Sequence, residues 1–319
     1  MDPTSRRHFL GAVGAVLTLP PLILPQDALA KATYAQLGAK IERGRKWDFM
    51  FRWRDIRGKK HRTEFQVRNR IVEHDLRTPK RISIENVNRE VARLINEQPA
   101  SRFGAKVTAT VDGRTMRLRT HASSPAKVQS SLKKASKFQH QAMKAAFEAR
   151  GYLLTPGNRV LPDHRRHVAD YARTMRPVVA GLGGPRKKPR AFARHALGFV
   201  QSIPYELRAL KQDRYRRPFA VLAKNKGDCD SKVVLYLAML RNAWPNLRTA
   251  VVYVPGHAFC AVDLRPRDGE LGVPVRGRQW LAIEPVGPML ADLGEIAPSS
   301  IEGLRESYDA RVVPLGKKA

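Results

Sequence analysis

The spacing of apolar positions changes several times along this chain, and the changes mark out its elements. Trp47–Arg54 and Thr63–Ile71 alternate apolar and polar side chains around Ile56-Arg57-Gly58-Lys59-Lys60, which predicts a two-stranded hairpin. Ile84, Val87, Val91, Leu94 and Ile95 recur at helical spacing behind Ser83, so an amphipathic helix capped by that serine is expected. A second hairpin is expected where Ala105–Val111 and Thr115–Thr120 flank Asp112-Gly113. A second helix is expected over Pro125–Arg150, closed by Gly151.

Residues 151–190 carry less pattern. They predict one helix near His164–Met175 and an exposed basic tract, Gly181–Arg190, with the composition of a linker. From Ala191 the chain turns more apolar. A helix is expected over Ala191–Ile203, then a polar loop at Lys211–Arg217, and then a helix starting at Cys229 that runs through Val233–Leu240. Thr249–Val254, His257–Leu264 and Gln279–Glu284 read as strands, stopped by Pro255-Gly256 and by Pro285. The fold class expected is α+β. The expected division is a basic module over 31–150, a linker over 151–190 and a second domain over 191–319, with the main boundary inside the linker.

The first thirty residues stand outside that pattern. Arg6-Arg7-His8-Phe9-Leu10 precedes an apolar run from Gly11 to Leu24, and Ala28-Leu29-Ala30 follows. A charged front, a short apolar middle and small residues at the end are the marks of an export signal, and the paired arginines resemble a twin-arginine signal. The prolines at 20, 21 and 25 and the shortness of the run argue against a membrane span. Cleavage after Ala30 and a periplasmic or secreted location are expected, with no membrane span thereafter.

Composition refines this picture. The 319 residues are 43% hydrophobic, enough for a sizeable core, and carry a formal net charge of +31. Such a surplus attracts polyanions. In an exported protein those are envelope polymers and anionic lipid surfaces, and no aromatic-interleaved basic pattern points to nucleic acid. There are two cysteines, Cys229 and Cys260, read as free thiols rather than as a disulfide.

Cys229 stands out chemically. It sits at the start of a helix behind Gly227-Asp228, where unpaired backbone N–H groups and the helix dipole favour a thiolate. A thiol nucleophile needs a base and a group that orients the base, and His257 and Glu284 supply both from neighbouring predicted strands.

At Gly227-Asp228-Cys229-Asp230, Gly256-His257-Ala258-Phe259 and Trp280-Leu281-Ala282-Ile283-Glu284-Pro285, the chain resembles the transglutaminase-like cysteine hydrolases, close to their exported bacterial members. Phe199–Tyr205 and Arg217-Pro218 look like that fold's lead-in helix and loop, so the resemblance covers about 191–290. It implies a papain-like α+β core and acyl transfer at an amide, with Cys229 as nucleophile, His257 as base and Glu284 as orienting acid. The third position is often Asp in that family and is Glu284 here. Either peptide hydrolysis or transfer of a glutaminyl acyl group to an amine fits, and hydrolysis is favoured because water is always at hand. The alternative is a non-catalytic module of this fold that binds an envelope peptide or protein.

Other residues receive lesser roles. The backbone N–H of Cys229 is one expected oxyanion donor, and Gln201 and Tyr205 are candidates for the second. Trp280 is a candidate shield for the histidine–carboxylate pair. Cys260 is three positions from His257 on one strand, so it faces the opposite way and is read as core. Asp228 and Asp230 are read as a cap and a first-turn charge rather than as calcium ligands. His164, His167 and His195 lack metal-ligand partners in the sequence, and no cofactor is called for.

Overall fold

The computed structural model describes residues 37–77, 82–154, 160–185, 188–206, 215–287 and 289–314. The segment read as an export signal, most of the Lys211–Arg217 loop, Pro156-Gly157 and Arg186-Lys187 lie outside them. The architecture is α+β, and the strands among the described residues all pair antiparallel.

In chain order the elements begin with strands β1 (Leu37–Arg43), β2 (Lys46–Arg54) and β3 (Lys60–Arg68) and helix α1 (Asn69–Leu76). Then come α2 (Ile84–Asn96), α3 (Ala100–Phe103), β4 (Val107–Asp112), β5 (Thr115–Thr120), α4 (Pro125–Ala149), β6 (Tyr152–Leu154) and β7 (Val160–Pro162). Helices α5 (His164–Ala172), α6 (Arg176–Gly181), α7 (Pro189–Ser202), α8 (Pro218–Lys224) and α9 (Cys229–Ala243) follow. The chain finishes with β8 (Thr249–Val254), β9 (His257–Val262), β10 (Gly272–Val275), β11 (Arg278–Ile283), α10 (Pro298–Glu306) and β12 (Asp309–Val312).

These elements form two compact units, divided near residues 78 and 163. The smaller unit holds α2 to β7. Ser83 caps α2 by accepting the Asn86 N–H at 3.1 Å, and Gly113 turns the β4–β5 hairpin with φ 53°. Val87, Val91 and Ile95 of α2 pack with Phe103, Val107, Ala109 and Phe147 in a core of its own.

The larger unit is discontinuous in sequence and corrects the expected division. β2 and β3 do not belong to an N-terminal module. Their inward residues Phe49, Phe51, Trp53, Phe65 and Val67 share one core with α7, α8 and α9. The rings of Phe51 and Phe199 meet edge to face at 5.4 Å, and the Trp53 indole N–H donates to the Thr63 hydroxyl at 3.0 Å. Alternation along a hairpin identifies its apolar face but not the segment that covers it.

Residues 164–190 are likewise no linker. Val168 of α5, and Met175, Val178, Val179 and Leu182 in and around α6, are buried in the same core. Arg190, expected to be an exposed basic residue, pairs with Glu270 at 2.5 Å. The strand expected over Thr63–Ile71 ends at Arg68, and Asn69 opens α1 instead.

A five-stranded sheet in the order β10-β11-β9-β8-β12 forms the frame for the chemistry. Alternation divides its side chains between two layers. Val251, Cys260, Val262, Leu281 and Ile283 face the core that contains α9. Val252, Phe259, Ala261, Trp280 and Ala282 form a second layer, against which Ile301 and Leu304 of α10 pack.

Candidate functional site

The β8–β9 hairpin turns on Pro255-Gly256, with Gly256 at φ 72° and Val254 opposite His257. This tight turn starts β9 at His257. In that register Ala258 lies opposite Tyr253 at a position whose N–H points away from β8, toward β11. But β11 ends at Ile283, opposite Cys260, so the sheet has a gap beside Ala258. The N-terminus of α9 reaches this gap, and the Cys229 sulfur accepts the Ala258 N–H. The thiol thus docks on the residue next to His257.

Helix α9 starts where the sequence suggests. Asp228 is its N-cap, in extended conformation, and its carboxylate accepts the Ser231 N–H at 3.0 Å. As the first helical residue, Cys229 carries one of the N–H groups a helix leaves unpaired. Its sulfur also accepts the Asp230 N–H. The thiolate does not prevail at rest, however. Burial pushes the thiol well above its ordinary value, and the Asp230 and Asp228 carboxylates add to the effect. These effects favour the neutral thiol.

His257, next along β9 to Ala258, is paired with a carboxylate. Its Nε2 lies 3.0 Å from Oε2 of Glu284, and the imidazole side chain is 10% exposed. Burial disfavours its charged form, yet the net shift is upward, because the Glu284 carboxylate bonds the ring and Asp230 adds its field. With Nε2 turned to Glu284, Nδ1 is the nitrogen that can serve another partner.

Glu284, just past the end of β11, is 1% exposed and held from several sides. Its Oε2 accepts from the Ser300 hydroxyl at 3.1 Å, and Oε1 accepts the Val286 N–H at 3.3 Å. Ser300 comes from α10, which lies close enough to β8 that a Cβ at Gly303 would sit 2.8 Å from Val254 Cβ. At Gly287 a Cβ would meet the Gln201 carbonyl oxygen at 2.3 Å, so the segment after Glu284 runs tight against the end of α7.

The lesser candidates separate. The Tyr205 hydroxyl bonds the Cys229 thiol, and burial holds that phenol protonated, reinforced by the Cys229, Asp228 and Asp230 charges. A β-bridge to Gly227 fixes Tyr205 there. Gln201 does not reach the thiol: its Nε2 donates to the Glu284 carbonyl at 2.8 Å and the Ala291 carbonyl at 3.0 Å, bracing the Glu284 segment. Trp280 is 1% exposed in the layer that contains Phe259, with the Arg248 guanidinium 5.8 Å from its ring centre. It is Phe259 whose ring stacks 6.5 Å from His257. Both cysteines are free, and the buried Cys260 donates to the Ile283 carbonyl at 3.4 Å.

Sequence reasoning missed three residues around the site. Lys232 is fully buried one turn beyond Cys229 and donates to the Ile203 carbonyl at 2.5 Å. Burial pushes this lysine down to about 7, against the pull of the Glu284 and Asp228 carboxylates. A lone lysine in the apolar run of α9 was a readable sign of a buried charge. Ser300 and His164 gave no comparable sign. Among the described residues no group of three or more His, Cys, Asp or Glu side chains is arranged to hold a metal. A scan of family models found no match to this chain, and searches of curated proteins and of solved structures found none either.

Proposed function

We propose that this protein is an exported cysteine hydrolase with a papain-like, transglutaminase-like core, acting on a peptide or glutaminyl amide of the cell envelope. The observation that carries the reading is the buried Glu284 carboxylate bonded to His257, beside a thiol docked on the N–H of Ala258. That carboxylate is itself gripped by a second helix through Ser300.

In this reading the Cys229 sulfur attacks the amide carbon while His257 Nδ1 takes the thiol proton, and a C–S bond forms as the carbonyl π pair moves onto oxygen. The Cys229 N–H and the Tyr205 hydroxyl are the donors nearest that oxyanion. The C–N bond then breaks, and the imidazolium returns its proton to the leaving nitrogen. Water, deprotonated by His257, attacks the thioester and releases a carboxylate and the thiol. Glu284 fixes the ring and stabilises the imidazolium in both halves. Because burial holds the thiol neutral, proton removal accompanies attack rather than preceding it.

The paired arginines of residues 1–30 and the charge of +31 support export and attraction to anionic envelope polymers or lipid surfaces. The test is incubation of the mature protein with an envelope extract beside a Cys229→Ala control. New peptide amino or carboxyl termini, found by mass spectrometry only with the intact thiol, support hydrolysis. New amide cross-links would indicate acyl transfer to an amine instead. If the alanine variant produces the same changes, the catalytic reading falls and the binding-module alternative takes its place.

A further inference from the structure

A second histidine reaches Asp230, the residue that follows the thiol. His164 opens α5 and is fully buried. Its Nδ1 lies 2.5 Å from the Tyr253 hydroxyl on β8, and its Nε2 lies 3.5 Å from Oδ2 of Asp230. The other oxygen of Asp230 is 3.8 Å from the Cys229 sulfur. The Tyr215 ring meets the imidazole edge-on at 5.2 Å. Tyr253 is opposite Ala258 in the β8–β9 register, so this second chain and the catalytic pair are anchored on facing residues of one hairpin.

The chemistry of these positions fixes a direction. A carboxylate only accepts, so the nitrogen facing Asp230, Nε2, is assigned the ring proton, and Nδ1 then accepts the Tyr253 O–H. Asp230 stands between opposing demands: its anion disfavours the adjacent thiolate yet favours the His257 imidazolium. Its position and effective charge therefore bear on how readily the thiol loses its proton.

We propose, on the hydrolase reading above, that His164 is a positioning residue of the Cys229 site: held by Tyr253, it fixes the Asp230 carboxylate and draws off part of that anion's field from the thiol. The groups facing this arrangement are Asp228 and Cys229 on α9, His257 on β9, Tyr205 ahead of α8, and Tyr215 and Tyr253 around the His164 ring.

The test needs no substrate. The rate of Cys229 alkylation by iodoacetamide is followed against pH in the full-length mature protein, with Cys229→Ser as the blank. His164→Asn keeps a polar side chain but lacks a donor at the Nε2 position. It is expected to slow alkylation at neutral pH about fivefold and to move the pH midpoint up. His164→Gln puts an amide donor near the Nε2 position and should restore most of the rate. Asp230→Asn removes the anion and should move the midpoint down, and adding His164→Asn to it should change nothing further. That partly exposed site keeps the test alive if the buried His164 variants fail to fold. The proposal is overturned if Asp230→Asn leaves the midpoint in place or raises it. It is equally overturned if His164→Asn slows alkylation as much in the Asp230→Asn background as in the native one. Alkylation that behaves as expected while no envelope product forms would overturn the hydrolase reading and leave this relationship standing.

Discussion

The Nε2 atom of His257 and the Oε2 atom of Glu284 lie 3.0 Å apart, and on the proposed hydrolase reading this pairing assigns the two imidazole nitrogens different tasks. Glu284→Gln leaves a side chain of the same length but removes the charge that lifts the imidazole against the effect of burial. Turnover should fall by about 10²- to 10⁴-fold, the range of a displaced general base. The acid limb of the kcat/KM profile should also move to lower pH, because burial is then opposed only by the smaller field of Asp230. A profile whose acid limb stays in place would dissociate Glu284 from His257.

Ser300 reaches Glu284 only because α10 lies close to β8. Ser300→Ala removes one donor to a carboxylate, an interaction of about 1.5 to 3 kcal/mol, so turnover should drop on the order of tenfold or more with the fold intact. Gly303→Ala should weaken the same contact from a distance by lifting α10, and destabilise the protein by about 1 to 3 kcal/mol. Activity assays and thermal melts of the two variants check these effects, and both variants should melt earlier than the native protein.

Lys232 makes stability depend on pH. Its value in the folded protein is pushed down to about 7 from an ordinary 10.5, so the unfolded chain holds that proton more tightly. Stability should therefore rise with pH between about 7 and 10, while below 7 the burial penalty is present in full. Lys232→Met should gain most over the native protein near pH 6, by up to about 5 kcal/mol less the 1 to 3 kcal/mol of an unpaired Ile203 carbonyl. The gain should shrink toward pH 10, as read from denaturant unfolding at the two pH values. A gain that grows with pH would contradict this.

Cys260 serves packing and not chemistry. Cys260→Ala should leave turnover within about twofold and cost on the order of 1 kcal/mol of stability. A thiol titration should count one accessible sulfur in the folded native protein and two in denaturant, and one in the variant under both conditions.

Much of the local structure was legible in the sequence, because caps and turns depend on nearby residues. Ser83 and Asp228 as caps, Gly113 in its turn, and Pro255-Gly256 ahead of His257 are all in place. So are the elements bearing Cys229, His257 and Glu284. What could not be read depends on which distant surface covers a given face. Gln201 ends a helix with nothing local to direct its amide, and the Glu284 segment draws it away from the thiol. The activating helix terminus of Cys229 was read correctly as a location, but burial and two flanking carboxylates dominate its titration. The partners of Phe49, Phe51 and Phe65 were hidden because α7 to α9 follow only after the inserted unit.

That insertion also sets the order in which the chain can assemble. The hairpin of β2 and β3 is synthesised early but meets Phe199 almost half the chain later. The smaller unit, continuous in sequence, can settle as soon as it emerges. The larger one must keep an aromatic face waiting and close a long loop before α9 has a core to start from. Because that core includes residues of the early hairpin, the helix that starts at Cys229 has its full support only after the long loop has closed.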